Sequence, residues 1–307
     1  MPNWANVLNE IEENKRRAQE GINEPFVDNV RRKYLLQLHN HTNRNIIAYY
    51  LGWLQKTSTT PNYISDFDKN GLMNAVHELD KNLGLDLLLH TPGGSFAATV
   101  SLVDYLHKMF GTNIRCFIPQ IAMSGGTMIA CACKEIIMGK QSNIGPIDPQ
   151  INGFPAYGII DEFNHVVESV KKDPGSILVW RTILEKYEPA LVGECSKAIK
   201  LARETVEKWL INGMFADNEN REDAIKQAKN IVNKLNNHAD TKNHAYHIHA
   251  EEALSFGLKI SMLEDDNDLQ DLVLTVHHAY MHSFSGTAAV KIIENHLGRA
   301  IVLSSNG

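Results

Sequence analysis

Residues 85–106, LDLLLHTPGGSFAATVSLVDYL, contain a short apolar run, a turn with two adjacent glycines and an amphipathic segment. Residues 115–133, RCFIPQIAMSGGTMIACAC, repeat this order with a Ser-Gly-Gly cluster at 124–126, and a third apolar run, EIIMG, follows at 135–139. An apolar run, a glycine turn and an amphipathic segment in succession indicate a strand followed by a helix. Their repetition predicts an α/β fold with a parallel sheet.

The segments on either side of this α/β region have a different character. Residues 1–58 are charged and carry spaced apolar residues, which predicts a helical N-terminal extension. Residues 162–236 also predict helices, and 250–263, AEEALSFGLKISML, predict a short helix that returns to a strand. We therefore predict three segments: a helical extension at 1–58, an α/β domain at 59–265, and a mixed C-terminal extension at 266–307 that could pack on a neighbouring subunit.

The composition excludes several classes of protein. With 307 residues, a net charge of −6 and 43% hydrophobic residues, the chain has a globular composition and lacks the basic footprint of a nucleic-acid-binding protein. Its four cysteines lack the CxxC spacing of zinc and redox sites, which favours buried, reduced thiols in an intracellular protein. The start of the chain does not resemble a signal peptide, and no run of about 18 apolar residues predicts a membrane span. We therefore expect a cytoplasmic protein.

The two glycine turns follow successive predicted strands, at 90–95 (HTPGGS) and 122–127 (AMSGGT). In open parallel sheets, sites form at the carboxyl ends of the strands, and glycines let a ligand approach the backbone closely. The start of a helix adds unpaired N–H groups and partial positive charge, so Ser124 would lie beside a site for an oxyanion. On local sequence alone a helix N-cap is the more common role for such a serine. The GxSxG elbow is absent, because residue 122 is alanine.

Three motifs carry a resemblance to a known family: TPGG at 91–94, SGGT at 124–127 and IGPIDPQ at 144–150. They resemble the Clp protease and crotonase superfamily, within it the signal peptide peptidase A group, and most of all the serine dehydrogenase proteinase family. The resemblance implies a repeated ββα superhelix as the catalytic domain at 59–265. It also implies a serine endopeptidase that cleaves peptide or protein substrates without a cofactor and forms a homo-oligomer. This chain has Ser-Gly-Gly where relatives often have Ser-Ala-Gly, and we do not expect in it the N-terminal membrane segment of many relatives.

The resemblance also assigns roles to the residues of the two turns. It makes Ser124 the nucleophile that attacks a peptide carbonyl. The N–H of Gly125 and one N–H from the preceding glycine turn would hold the oxyanion, with Gly94 preferred over Gly93. In known hydrolases the loss of one such donor costs on the order of 3 kcal/mol of transition-state stabilisation.

The general base is indicated less directly than the nucleophile. Clp proteases carry a histidine in the segment after the serine helix, where this chain has Asp148 and no histidine. The resemblance to serine–lysine peptidases instead implies Lys200, in KAIKLARE at 197–204, as a neutral and partly buried base. The alternative is an exposed Lys200 that pairs with Glu204 one helical turn away. Four other lysines are substitutes for the same role: Lys171, Lys172, Lys186 and Lys197.

Fourteen histidines raise the question of a metal site. HAYHIH at 244–249 and HHAYMH at 277–282 have spacings that metal sites use, but no HExxH motif and no suitably spaced acidic partner accompany them. We therefore predict no metal. His244 and His247 are secondary candidates that line or orient the site and provide an alternative base. Asp148 could stabilise the loop beneath the site by accepting backbone N–H bonds.

Two other functions are consistent with these residues. An acyl-CoA hydratase or isomerase of the crotonase type also uses two backbone N–H groups for an oxyanion, but it normally has glutamates at the site. A catalytically silent oligomeric scaffold would keep Ser124 only as a helix cap. A crotonase-type enzyme would turn over thioesters and not peptides. A scaffold would resist labelling of Ser124 by a fluorophosphonate, whereas a serine peptidase would be labelled.

Overall fold

The computed structural model describes residues 4–19, 26–56, 62–236 and 244–305. Its helices are α1 (Trp4–Gln19), α2 (Phe26–Thr42), α3 (Asp68–Val76), α4 (Phe96–Phe110), α5 (Gly125–Cys131), α6 (Ala156–Lys172), α7 (Ile177–Leu184), α8 (Leu191–Asn212), α9 (Arg221–Leu235), α10 (Ala250–Phe256) and α11 (Asn267–Gly286). Its strands are β1 (Asn45–Leu51), β2 (Leu85–His90), β3 (Ile114–Ile118), β4 (Ile121–Ala122), β5 (Glu135–Met138), β6 (Asn143–Ile144), β7 (Gln150–Ile151), β8 (Phe154–Pro155), β9 (Ile248–His249), β10 (Ile260–Met262), β11 (Ala289–Asn295) and β12 (Ala300–Ser304).

Seven of these strands form the central sheet, in the order β10-β5-β3-β2-β1-β11-β12. The strands from β10 to β1 run parallel, whereas β11 pairs antiparallel with both β1 and β12. The three strands that the glycine-turn pattern predicts, β2, β3 and β5, are neighbours in the parallel part. The prediction of a mixed α/β fold with a parallel sheet is therefore confirmed.

Helices cover both faces of the central sheet, and the apolar sequence of β1 reflects this coverage. Its sequence NIIAYYL is buried at every position, and successive side chains point to opposite faces. Ile47 and Tyr49 belong to the core beneath α3, α4, α5, α8 and α9, whereas Ile46 and Tyr50 belong to the core beneath α2 and α11. A strand that is covered on both faces is apolar throughout and shows no polar alternation.

The sequence prediction for the N-terminal extension is wrong over part of its length. Residues 1–58 are predicted to be helical, but 45–51 form β1, the strand at which the parallel and antiparallel parts of the sheet meet. The sequence does not predict this strand, because its continuous apolar run is equally typical of a buried helix. Residues 289–304, in the predicted C-terminal extension, form β11 and β12 of the same sheet. The three-segment division and the packing of the C-terminal segment on a neighbouring subunit stay predictions.

A second sheet, in the order β4-β6-β9, lies next to the carboxyl end of β2, where Thr91 forms a bridge with Ala122. In this sheet β4 is parallel to β6, and β6 is antiparallel to β9 with Ile144 opposite Ile248. In an antiparallel pair each step forward on one strand is a step back on the other. The pairing of Ile144 with Ile248 therefore places the segment that follows residue 144 beside the segment that precedes residue 248.

Candidate active site

Ser124 lies between β4 and α5 in a backbone conformation that L-residues rarely adopt, with φ +50° and ψ −112°. Such conformations cost about 1–3 kcal/mol and cluster at functional sites. The Ser124 side chain accepts no hydrogen bond from the N–H groups of α5, a helix that the structure describes in full. By contrast, the Ser95 hydroxyl accepts the N–H of Ala98 at the start of α4 (3.3 Å). The helix-cap interpretation of Ser124 is therefore wrong.

Ser124 lines a cleft with a volume of about 420 Å³. Six residues that the sequence analysis singled out line this cleft: Gly93, Gly94, Ser124, Gly125, Asp148 and His244. Apolar side chains complete much of its wall: Phe96, Met128, Ile147 and Ala202. His247 is exposed and lies outside the cleft lining. The structure thus brings together the two glycine turns, the loop at 144–150 and the segment before β9.

The two glycine turns touch each other. A Cβ added to Gly93 would lie 2.7 Å from Ser124 Cβ, and a Cβ added to Gly125 would lie 3.5 Å from the Gly94 nitrogen. Gly93 and Gly94 also have φ values of +97° and +154°, which favour glycine. Glycine is therefore needed at this junction both for its backbone conformation and for the close approach of the turns.

The direction of the Gly94 N–H follows from the hydrogen bonds of its neighbours. The Gly93 carbonyl accepts the N–H of Ile64 (2.8 Å), and the Ser95 N–H donates to the Ile64 carbonyl (2.9 Å). In a planar trans peptide unit the C=O and N–H point in opposite directions, so the Gly94 N–H points away from Ile64. The N–H of Gly93 already donates to Thr91 Oγ1 (3.1 Å). Gly94 is therefore better suited than Gly93 to donate to a ligand.

The N–H of Gly125 is directed by the same rule. The Ser124 carbonyl accepts the N–H of Met128 within the first turn of α5 (3.0 Å), so the Gly125 N–H in the same peptide unit points away from the helix. Within the residues that the structure describes, neither this N–H nor that of Gly94 has a protein acceptor. Two unpaired donors beside a serine side chain form the kind of arrangement that binds an oxyanion.

His244 and Asp148 form a hydrogen-bonded pair in this cleft, with His244 Nδ1 2.7 Å from Asp148 Oδ1. Asp148 is 2% exposed, and its Oδ2 has no partner in the described parts of the chain. A carboxylate at Nδ1 keeps the proton of a neutral imidazole on that nitrogen and leaves Nε2 to accept another proton. The register of β6 and β9 accounts for the pairing of two residues so distant in sequence.

Thr127 ties the serine turn to the loop that carries Asp148. Its buried hydroxyl donates to the Ala122 carbonyl (3.0 Å) and accepts the N–H of Gly145 (2.9 Å). The sequence predicts Asp148 and His244 as separate candidates and not as a pair. The two meet through the pairing of residues 143–144 with residues 248–249. Strands of two residues are too short to show a periodic pattern in the sequence.

The structure does not bring Lys200 into the lining of the cleft. Its side chain is 75% exposed and its Nζ lies 3.8 Å from Glu204 Oε1, so the prediction of a partly buried Lys200 is wrong. Helix α8 turns Ala202 toward the cleft, and two residues correspond to roughly 200° around a helix. Lys200 is therefore directed to solvent. The four substitute lysines are exposed as well: Lys171, Lys172, Lys186 and Lys197.

Replacing Gly94 with alanine is expected to disturb both the fold and the reactivity of Ser124. The added Cβ would lie 2.4 Å from the backbone nitrogen and oxygen of Ile64, at a φ of +154°. The bridge to Ile64 must then open and the Gly94 N–H must turn. We expect a loss of about 1–3 kcal/mol in the free energy of unfolding and slower labelling of Ser124 by a fluorophosphonate, measured by urea unfolding and by intact mass.

The matched control for this change is Gly111→Ala. Gly111 also has a positive φ (+60°), but no atom lies within 4 Å of the Cβ that alanine would add. It should show a backbone cost of about 1 kcal/mol and normal labelling of Ser124. Equal labelling rates in Gly94→Ala and Gly111→Ala would contradict the orientation that we derive for the Gly94 N–H.

Comparisons with known proteins show the family to which the chain belongs. The sequence model of the ClpP-like SDH-type serine proteinase family matches residues 31–293, a range that includes both glycine turns, Asp148 and His244. "Uncharacterized protein MJ1495" of Methanocaldococcus jannaschii is 31% identical over 201 residues, which are 65% of this chain and 59% of that protein. "Uncharacterized protein MJ0137" of the same organism is 30% identical over 157 residues, which are 47% of this chain and 54% of that protein. The chain thus spans somewhat more than half the length of these relatives.

Among solved structures, a mutant of the 1510-N membrane-bound stomatin-specific protease is similar to this chain. Its TM-score is 0.38 and its identity 16%, with 68% of this chain and 79% of that chain covered. In the described ranges of the present chain, no helix has the length and apolar character that crossing a membrane requires.

Proposed function

Because the chain belongs to the ClpP-like SDH-type serine proteinase family, we propose that it is a serine endopeptidase that cleaves peptide or protein substrates through an acyl-enzyme on Ser124. One observation carries the proposal: Ser124, two unpaired backbone N–H groups and the His244–Asp148 pair converge on one cleft. They supply a nucleophile, an oxyanion site and a candidate base with its orienting group, which together are sufficient for acyl transfer. The proposed reaction uses no cofactor.

In the proposed acylation step, His244 Nε2 takes the Ser124 hydroxyl proton as Oγ bonds to the peptide carbonyl carbon. The carbonyl oxygen becomes negatively charged and accepts the N–H groups of Gly94 and Gly125. The imidazolium then gives its proton to the amine as the carbon–nitrogen bond breaks, and the C-terminal part of the substrate leaves with a new amino terminus, while the N-terminal part stays on Ser124 as the acyl group. Asp148 holds the imidazole through Nδ1 and stabilises its transient positive charge.

Deacylation repeats the same proton transfers with water as the nucleophile. His244 takes a proton from water as its oxygen bonds to the ester carbon, and the oxyanion again occupies the two N–H donors. The proton returns to Ser124 Oγ as the ester bond breaks and the carboxylic acid leaves. The Asp148 carboxylate does not exchange protons in either step, because its role is to fix the orientation and tautomer of the histidine.

For the base we propose His244 in place of Lys200. A lysine must be neutral to act as a base, and neutrality requires burial or a positively charged neighbour. Lys200 is instead exposed, and its Nζ lies 3.8 Å from the Glu204 carboxylate and outside the cleft lining. His244 lines the cleft and already has its orienting carboxylate. The serine–lysine dyad that the resemblance implies is therefore the alternative mechanism against which His244 is tested.

The other two candidate functions receive less support from the site. A crotonase-type enzyme normally places glutamates at its oxyanion site, and no glutamate among the described residues lines this cleft. A silent scaffold would need Ser124 as a cap, but the described α5 receives no such bond. Neither alternative accounts for a histidine–carboxylate pair in the cleft.

The test is to offer the purified chain two substrates separately, fluorescein-labelled casein and crotonyl-CoA. We expect casein fragments to accumulate and the thioester to remain unchanged. Turnover of crotonyl-CoA without casein cleavage would favour the crotonase-type function, and lack of both reactions would favour the scaffold.

We further propose that the protein works as a homo-oligomer in the cytoplasm. The surface supports self-association, because α7 is rich in apolar residues and none of them is buried within the described chain; Leu178 is 77% exposed. Apolar surface of this kind commonly marks an interaction site.

A further inference from the structure

A buried ion pair lies behind the oxyanion turn, between Lys291 of β11 and Asp68 at the start of α3. Lys291 Nζ is 2.6 Å from Asp68 Oδ1, and the two side chains are 2% and 0% exposed. The second carboxylate oxygen of Asp68 accepts the hydroxyl of Tyr49 from β1 (2.6 Å). The pair is therefore anchored on two adjacent strands of the central sheet.

Further hydrogen bonds of this pair go to the residues on either side of Ile64. Lys291 Nζ donates to the Tyr63 carbonyl (2.8 Å), and Asp68 Oδ2 accepts the N–H of Ser65 (2.8 Å). Both residues that flank Ile64 are thus held by buried charged groups. Hydrogen bonds to charged groups are stronger than neutral ones and restrict geometry more tightly.

Ile64 in turn fixes the turn that carries the oxyanion donor. Its N–H donates to the Gly93 carbonyl and its carbonyl accepts the Ser95 N–H, which sets the direction of the Gly94 N–H. A continuous series of contacts therefore leads from the central sheet, through Asp68 and Lys291, to the donor beside Ser124.

We propose that Lys291 and Asp68 are positioning residues that hold the Gly94 N–H in the orientation needed to bind the oxyanion. This inference rests on the proposed function. Stability alone does not explain the pair, because a buried ion pair is often no more stabilising than apolar residues of similar volume. The hydrogen bonds from this pair to both neighbours of Ile64 are explained if the pair fixes the backbone at Ile64.

The test compares Lys291→Met with a matched control, Arg31→Met. Arg31 forms a buried ion pair with Glu294, also on β11, with its Nε 2.7 Å from the carboxylate. Among the described residues that line the cleft Glu294 is absent, and its carboxylate faces α2 and α11, where it bonds Arg31 and Tyr280. Both variants remove one partner of a buried pair on the same strand, so both are expected to lower the free energy of unfolding. Only Lys291→Met should release the oxyanion turn.

The readout is the rate at which a fluorophosphonate labels Ser124, followed by intact mass well below the unfolding midpoint of each variant. In this reaction Ser124 Oγ bonds to phosphorus, fluoride leaves, the base takes the hydroxyl proton, and the phosphoryl oxygen occupies the oxyanion site. Removal of a whole oxyanion donor costs about 10²–10³-fold, so displacement of one donor should slow labelling by at least about 10-fold. Arg31→Met should label at nearly the wild-type rate.

With casein-derived peptides, kcat should fall in Lys291→Met while KM stays nearly unchanged, because the oxyanion forms only after binding.

Tyr49→Phe is the second variant, and it tests the positioning role of Asp68 and Lys291 if Lys291→Met does not fold. It removes only the hydroxyl that bonds Asp68, and we expect a slower labelling rate, by about threefold or more given the strength of bonds to charged groups. Equal rates for Lys291→Met and Arg31→Met, or a wild-type rate for Tyr49→Phe when Lys291→Met is unfolded, would overturn the inference alone. A wild-type protein that is not labelled would overturn the proposed function itself.

Discussion

Replacing Ser124 with alanine is expected to abolish peptide hydrolysis, with a fall in kcat of about 10⁶-fold, as for removal of the nucleophile in other serine peptidases. The reason is that no acyl-enzyme can form without Oγ, while binding of the substrate in the cleft is unaffected. The measurement is the initial rate of cleavage of fluorescein-labelled casein by purified wild type and variant at equal concentration. The residual rate should be no more than the oxyanion site and substrate binding alone support.

The stability of Ser124→Ala separates this role from a structural one. The Ser124 side chain caps no helix, so its loss should leave the free energy of unfolding nearly unchanged. Asn220→Ala is the crossed control, because Asn220 accepts the N–H groups of Glu222 and Asp223 at the start of α9, outside the cleft lining. It should lose about 0.5–2 kcal/mol of stability and keep its activity. An active Ser124→Ala protein would contradict the nucleophile role.

Replacing His244 with alanine is expected to lower kcat by about 10⁴–10⁶-fold, since the members of such a catalytic group act as a unit. In the proposed mechanism the imidazole takes the Ser124 proton and returns it to the leaving amine, and no other histidine and no lysine of the described residues lines the cleft. Asp148→Asn should lower kcat by about 10⁴-fold, because an amide in place of the carboxylate favours the wrong histidine tautomer. Both are measured as kcat for casein-derived peptides, beside unfolding curves that verify the fold.

Lys200→Ala is the matched control for His244→Ala, because the two mechanisms predict opposite results. Lys200 is exposed and its nearest acidic partner is Glu204, so we expect a normal kcat after its removal. An exposed pair of this kind is worth at most about 1 kcal/mol in stability. Loss of activity in Lys200→Ala together with an active His244→Ala would contradict the proposed base and favour a serine–lysine dyad.

The parts of the site that the sequence predicts are those that depend on local pattern. The strands that end at His90 and Ile118 and the glycine turns that follow them are each encoded within a few residues. Their parallel pairing, and therefore the contact of the turns at Ser124, follows from general rules for α/β sheets. The sequence pattern could accordingly place Ser124 beside the two glycine turns. The roles of Ser124 as nucleophile and of Gly94 and Gly125 as oxyanion donors come from the family resemblance and stay predictions until activity is measured.

The parts that the sequence does not predict depend on distant pairing or on helix rotation. His244 and Asp148 are 96 residues apart and meet through the two-residue strands β6 and β9. The resemblance of its helix points to Lys200, but resemblance does not determine which side of α8 faces the cleft. The sequence does not predict β1, because burial on both faces removes the alternation of apolar and polar residues by which strands are recognised.

The most direct test of the central claim is to map the site of fluorophosphonate labelling by mass spectrometry of proteolytic peptides, in wild type and in His244→Ala. The account predicts a single phosphonylated residue in the wild type, Ser124, and labelling of the same residue at a greatly reduced rate in His244→Ala. An adduct on another residue, an unlabelled wild-type protein, or an undiminished rate in His244→Ala would contradict a Ser124 nucleophile activated by His244.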